Sequence, residues 1–123
     1  VAPSRGLGDV YKRQVLTDMF GNISGSYDMI CVNPPYIPTS ELASLQAEVK
    51  REPRLALDGG ADGLDFYRAL AAQAKDRLNA GGAIVMETGC DQAAAVTALF
   101  SDYKDVTVTK DLGGRDRVVT AFV

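Results

Sequence analysis

Apolar and polar positions follow two habits along most of the chain. Short, nearly unbroken apolar runs stand at "VLT" (15–17), "YDMICVN" (27–33) and "AIVMET" (83–88). Runs this short, with few polar residues, predict strands of a parallel sheet covered on both faces. Between them apolar residues return at helical spacing. Leu64, Tyr67, Leu70, Ala71, Ala74 and Leu78 share one face over 64–79, with Asp62 as the expected N-cap and Gly81-Gly82 as the expected stop. "DQAAAVTALFSD" (91–102) predicts a second helix. A shorter one, capped by Thr39 or Ser40, runs through Glu48 with Leu42, Leu45 and Val49 on one face, and Pro53 ends it. "RLALDGGADG" (54–63) reads as a short extended piece and then a Gly-rich loop. "DVTVTKDL" and "RVVTAFV" are β-rich and meet across Gly113-Gly114, the pattern of a hairpin. The order β, β, α, β, α and hairpin predicts an α/β sheet that is parallel up to an antiparallel edge.

Residues 1–14, "VAPSRGLGDVYKRQ", show no such period, and "SRGLGDVYKRQ" resembles translated adapter sequence. They are expected to be a leader foreign to a fold that occupies 15–123. The whole chain has 123 residues, enough for one domain, and its 46% apolar content supports a core. A net charge of −3 argues against a broad nucleic-acid footprint, which needs clustered Lys and Arg. The absence of histidine removes Ser/His/Asp and Cys/His catalysis and histidine metal sites, and no metal is expected. Cys31, inside an apolar run, reads as a small buried thiol, and Cys31 and Cys90 form no C-x-x-C. A reducing cytoplasmic location is expected, with no membrane span and no signal peptide.

The chemistry concentrates where the second apolar run stops, at Asn33-Pro34-Pro35-Tyr36. Pro34 keeps Asn33 extended, and both prolines fix φ near −65° without offering an N–H. The turn is stiff without bonds of its own, and its carbonyls stay free to accept. Asn33 adds an acceptor and a donor, and Tyr36 a flat ring. At the carboxyl end of a strand in an open α/β sheet, such a turn lies where these folds bind ligands. A rigid acceptor pair beside an aromatic face suits a planar –NH2 group whose lone pair is delocalised. Two accepted N–H bonds orient that nitrogen and enrich it in electrons for attack on a methyl donor. A stiff turn after a strand is the bland alternative.

"NPPYIP" and "SEL", then "EVKREPRLALDGGADGLDFYR", "GGAIVMETGCDQ" and "DLGGRDRVV" stand in the order and spacing of a known family. From about Val15 to Val123 the chain resembles the N5-glutamine methyltransferases that modify peptide chain release factors. "NPPY" occurs also in adenine and guanine amino methyltransferases; "EPRLALDGGADGLDFYR" is far more specific. The resemblance implies a Rossmann-like class I methyltransferase sheet, here its C-terminal half with an antiparallel edge hairpin. It implies S-adenosylmethionine as methyl donor and the glutamine of a release factor's Gly-Gly-Gln loop as acceptor. By position it gives Asn33, Pro34 and Tyr36 the catalytic role, and Asn33, Pro34, Pro35 and Tyr36 the binding of substrate. Asp18, Met19 and Asn33 are implied to line the donor, with a turn cap and plain core packing as the alternatives for Asp18 and Met19.

The family's acidic, Gly-rich donor loop is not in the sequence, and "GLGD" (6–9) does not replace it. The expectation is a C-terminal piece of a longer enzyme, inactive by itself. A nucleic-acid amino methyltransferase and a fragment without chemistry are the other readings. Glu87 reads as a strand-end carboxylate that can reach the site edge, and Arg54 as a surface charge or a partner for Asp58. Gly59, Gly60 and Gly63 read as turn residues, with a loop that moves on substrate binding as the alternative, and Tyr67 and Phe66 read as helix packing. Arg115 and Arg117 could contact substrate, but read first as exposed charges that blunt the hairpin edge.

Overall fold

The computed structural model describes residues 24–44 and 58–123. The strand expected at 15–17, the later part of the helix from Thr39, Pro53, Arg54 and the boundary expected after residue 14 lie outside the described residues. Strand β1 is Tyr27–Val32. A 3-10 turn, Thr39–Ser44, follows it. Helix α1 spans Asp65–Gln73 and tightens into a 3-10 turn, Ala74–Arg77, that leads directly into β2, Leu78–Glu87. Helix α2 is Ala93–Leu99, and β3, Lys104–Lys110, and β4, Asp116–Phe122, close the chain. The strands lie in the order β1-β2-β4-β3, with β1 and β2 parallel and β4 antiparallel to both its neighbours.

One face of this sheet carries the core. Ile84 lies opposite Ala121 and Met86 opposite Val119, and all four are buried. Tyr67, Leu70 and Ala74 from the first helical segment and Val96 and Phe100 from the second pack onto them in one cluster. The rings of Phe100 and Tyr103 meet at 4.8 Å between centroids, tilted by 60°, within the range that favours aromatic pairs. The Tyr103 hydroxyl donates to the Ala71 carbonyl at 3.0 Å, and Lys75 lies over its ring while pairing with Asp102 at 2.8 Å.

Several boundaries differ from the sequence reading. The helix expected to reach Asn79 ends earlier, because Leu78 is already extended and begins β2. Its apolar side chain satisfies the helical period and the strand equally. Gly81 and Gly82 do not stop a helix; they lie within β2, where the register with β1 jumps from Tyr27–Leu78 to Met29–Ala83. A side chain on Gly82 would come within 2.9 Å of the Asn79 and Asp28 carbonyl oxygens. Asp62 is not the N-cap; Leu64 holds that place with no side-chain cap bond. Asp62 instead accepts the Leu64 N–H at 3.0 Å and pairs with Arg68, whose hydrogen bond holds the carboxyl below its ordinary range.

The first strand also corrects the expectation of two covered faces. Tyr27 and Met29 are 44% and 60% exposed, and Cys31 is exposed rather than buried. Among the described residues β1 is an edge strand. Met29 and Cys31 alternate with Ile30 and Val32, and it is Ile30 and Val32 that pack against the core.

The hairpin between β3 and β4 is as expected, with Gly114 in the left-handed region at φ 80°. Asp111 organises its turn, accepting from the Gly113 N–H at 2.9 Å and the Arg115 N–H at 3.0 Å. The Arg115 N–H comes first among the causes that hold the Asp111 carboxyl below its ordinary range, with the Gly113 N–H and Arg117 adding to it against the effect of burial. A carboxylate depressed in the folded state stabilises the fold above its unfolded pKa, about 4, and that stabilisation is lost as pH falls through the folded value. Urea midpoints are therefore expected to fall more steeply as pH drops below about 4 in the native chain than in Asp111→Asn, which keeps an acceptor and loses the titration.

Candidate active site

Parallel pairing brings the carboxyl ends of β1 and β2 to the same edge. The chain leaves β1 through Asn33, which is exposed, then buried Pro34, then Pro35 and Tyr36, which are half-buried. Among the described residues no hydrogen bond takes the Asn33 side-chain amide or the Pro34 carbonyl. Ile37 then forms a parallel bridge with Asp58. The Gly59 N–H donates to the Ile37 carbonyl and the Thr39 N–H to the Gly60 carbonyl, both at 2.8 Å. Thr39 therefore does not cap a helix with its hydroxyl, which donates to Asp58 at 2.6 Å.

Three glycines press on Tyr36, and this explains them better than turn geometry alone. A Cβ on Gly59 would lie 2.8 Å from the Tyr36 Cα, and one on Gly63 would lie 2.3 Å from the Tyr36 carbonyl oxygen. A Cβ on Gly89, beyond the end of β2, would lie 3.3 Å from the Tyr36 ring. Gln92 completes the enclosure. Its Nε2 donates to the Tyr36 carbonyl at 2.8 Å, and its Oε1 accepts the Gly89 N–H at 3.0 Å.

An open groove of about 440 Å³ runs beside this turn. Tyr36, Ile37, Pro38 and Leu64 form one side, and Gly89, Cys90 and Gln92 another. Glu41, Asp62 and Asp91 also line it, and Arg117 is its cation. Of the residues expected to form a site, Tyr36 lines the groove, while Asn33, Pro34 and Pro35 stand before it and off its lining. Asp18 and Met19 lie outside the described residues. Glu87 is off the lining too; its backbone carbonyl accepts from the buried Tyr67 hydroxyl at 2.5 Å. Burial, then the charges of Tyr36 and Glu87, push the Tyr67 hydroxyl well above its ordinary pKa, so it serves as a donor.

Arg117 departs from its edge-blunting expectation. Its side chain is 30% exposed and reaches Asp111 and the Thr88 carbonyl, each at 3.4 Å. Burial opposes its charge, but the Asp111 hydrogen bond and the neighbouring Tyr36 outweigh that, and the guanidinium sits above its ordinary pKa. Arg115, two residues earlier, is exposed as expected. Gln92 is the residue that sequence reasoning missed. Its signal was present: Gly89-x-x-Gln92 has the spacing at which a glutamine reaches back to the N–H three residues before it at a helix start.

No family model matches the chain. The release factor glutamine methyltransferase of Geobacter sulfurreducens is 50% identical over 96 residues, which is 76% of this chain and 34% of that protein. Its counterpart in Moorella thermoacetica is 48% identical over 98 residues, 77% of this chain and 35% of that protein. The chain is similar to the release factor glutamine methyltransferases. It matches the C-terminal part of these family members and spans about a third of their length. A release factor-specific protein-(glutamine-N5) methyltransferase from Alicyclobacillus acidocaldarius superposes with a TM-score of 0.54 at 30% identity, over 79% of this chain and 48% of that one. A methyltransferase from Pyrococcus furiosus gives the same TM-score, 0.54, at 19% identity over 81% of this chain and 42% of that one, and shares the fold alone. The sheet is thus the expected Rossmann-like class I methyltransferase sheet. No described helix is long and apolar enough to cross a membrane.

The packing around Tyr36 sets a measurable contrast between two glycines of similar backbone conformation. Gly63 has φ 79° and a blocked Cβ position, and Gly114 has φ 80° and open space around it. Alanine at either position carries the left-handed penalty of about 1–2 kcal/mol. Thermal unfolding should show Gly63→Ala to be clearly the more damaging of the two, the excess reporting the collision with the Tyr36 carbonyl. Equal losses would mean that the turn yields without cost.

Proposed function

We propose that this chain forms the acceptor-binding part of an S-adenosylmethionine-dependent methyltransferase. The enzyme acts on the side-chain amide nitrogen of the glutamine in a release factor's Gly-Gly-Gln loop. The observation that carries this reading is the rigid Asn33–Tyr36 turn at the carboxyl end of a parallel strand, with an amide and a carbonyl that no described residue engages and a ring on the groove wall. The likeness to release factor glutamine methyltransferases supports the choice of substrate.

The glutamine nitrogen is a weak nucleophile because its lone pair is shared with the carbonyl. In the proposed arrangement the Asn33 Oδ1 and the Pro34 carbonyl accept its two N–H bonds. They fix its direction and raise its electron density. The Tyr36 ring stacks on the amide plane. The donor supplies an electrophilic methyl group on a sulfonium. As the N–C bond forms the C–S bond breaks, and the nitrogen then gives up a proton to water. Orientation of this kind is worth up to about 7–11 kcal/mol of a barrier. Asn33, exposed at the carboxyl edge, suits contact with the donor as well, and Asp18 and Met19 are assigned to its adenine on the family pattern.

The test is transfer of labelled methyl from S-adenosylmethionine by an enzyme that carries residues 15–123 together with the preceding part found in its relatives. A release factor should be labelled, and the same factor with its Gly-Gly-Gln glutamine changed to glutamate should not. Label on nucleic acid and none on the release factor would overturn the proposal. Asn33→Ala should raise the barrier by about 2–4 kcal/mol, as removal of one oriented partner does elsewhere, with little change in melting temperature. Tyr36→Phe should keep most of the turnover and Tyr36→Ala lose most of it, since the ring stacks while the hydroxyl takes no part. Equal damage from both variants, with folding confirmed by circular dichroism, would reject stacking.

A further inference from the structure

Gln92 performs no chemistry in the mechanism above, yet its side chain is the one most committed to Tyr36. It is 9% exposed and uses both ends of its amide, the donor on the Tyr36 carbonyl and the acceptor on the Gly89 N–H. A carboxylate of the same length has no donor, and an apolar side chain has neither function. The two bonds serve separate purposes. The Gly89 bond belongs to the start of α2, where the Gln92 N–H also donates to the Gly89 carbonyl at 3.0 Å. The Tyr36 bond crosses 56 residues of sequence and joins the turn after β1 to the turn after β2. Gly63 is held clear for it, since a Cβ there would come within 2.7 Å of the Gln92 Nε2.

We infer that Gln92 is a positioning residue. It sets the direction of Tyr36, and through it the Asn33–Tyr36 turn, against the end of β2 and the groove. The inference rests on the reading of Tyr36 as part of the glutamine site. Peptide bonds carry the constraint: Pro34 and Pro35 stiffen the chain before Tyr36, so a carbonyl fixed at Tyr36 limits the rotation of everything back to Asn33. The geometry also separates positioning from capping. Gln92→Glu keeps an oxygen for the Gly89 N–H and so keeps the helix start. It removes the donor to Tyr36 and sets two acceptors face to face. Gln92→Leu removes both bonds.

The experiment follows tyrosine ring signals by NMR in the full chain labelled with carbon-13 tyrosine, with Tyr67 and Tyr103 as core references. In Gln92→Glu the Tyr36 signals are expected to shift and broaden, while those of Tyr67 and Tyr103 and the helical circular dichroism remain native. Unchanged Tyr36 signals would overturn the inference. Loss of all three tyrosine signatures together in Gln92→Glu would also overturn it, in favour of a purely structural role. A second arm titrates a capped Gly-Gly-Gln peptide. In the native chain it should move the Tyr36 signals, and in Gln92→Glu its affinity should be about tenfold lower, the equivalent of one modest hydrogen bond. A peptide that leaves native Tyr36 unmoved rejects the glutamine-site reading. The first arm needs no peptide and decides separately whether Gln92 sets Tyr36.

Discussion

Parallel pairing of β1 with β2 is the constraint on which the rest depends. Two parallel strands end at the same edge of a sheet, whatever their sequences. The turn after β1 and the turn after β2 must therefore meet there. Residues far apart in sequence, Tyr36 and Gln92, become hydrogen-bonding neighbours without any further device. An antiparallel pair would have sent the two turns to opposite ends. The antiparallel hairpin does the complementary job. Inserting β4 between β2 and β3 brings Arg117 back toward the Thr88 carbonyl and the groove.

The core holds this edge in place from one side. Ile84, Met86, Val119 and Ala121 fix the registers of β2 and β4, and α1 and α2 are pinned to them through Tyr67, Val96 and Phe100. Tyr67 links core and edge directly, because its buried hydroxyl ends on the Glu87 carbonyl, the last residue of β2. Burying a hydroxyl without a partner costs about 1–3 kcal/mol, so the bond at that carbonyl is part of how the strand end is located.

Much of the architecture was legible in the residue pattern because element type follows apolar period. The parallel strands, both helices and the hairpin were all visible that way. Legibility stopped where one residue satisfies two patterns. Leu78 fits a helical face and a strand start, so the helical period overruns the helix, and two glycines that ease a β-bulge share the pattern of a helix stop. It stopped again where exposure depends on neighbours: Cys31 sits in an apolar run, but its row of β1 faces away from the core. In the site, the local stiffness of Asn33–Tyr36 could be read from proline chemistry alone. The roles of Arg117 and Gln92 could not, because each depends on a partner brought near by the fold, Thr88 and Asp111 for the one and Tyr36 for the other.

The glycines around Tyr36 have a consequence for how mutational data on this region will read. Gly59, Gly63 and Gly89 offer no functional group, and none of them touches substrate in the proposed mechanism. Their value is empty volume: each leaves the space that a methyl group would take from the Tyr36 backbone or ring. A saturation scan scored on activity alone will therefore rank these three positions beside the catalytic ones. In such a map the intolerant patch will be wider than the reacting groups, and its outline will trace the steric shadow of one aromatic residue.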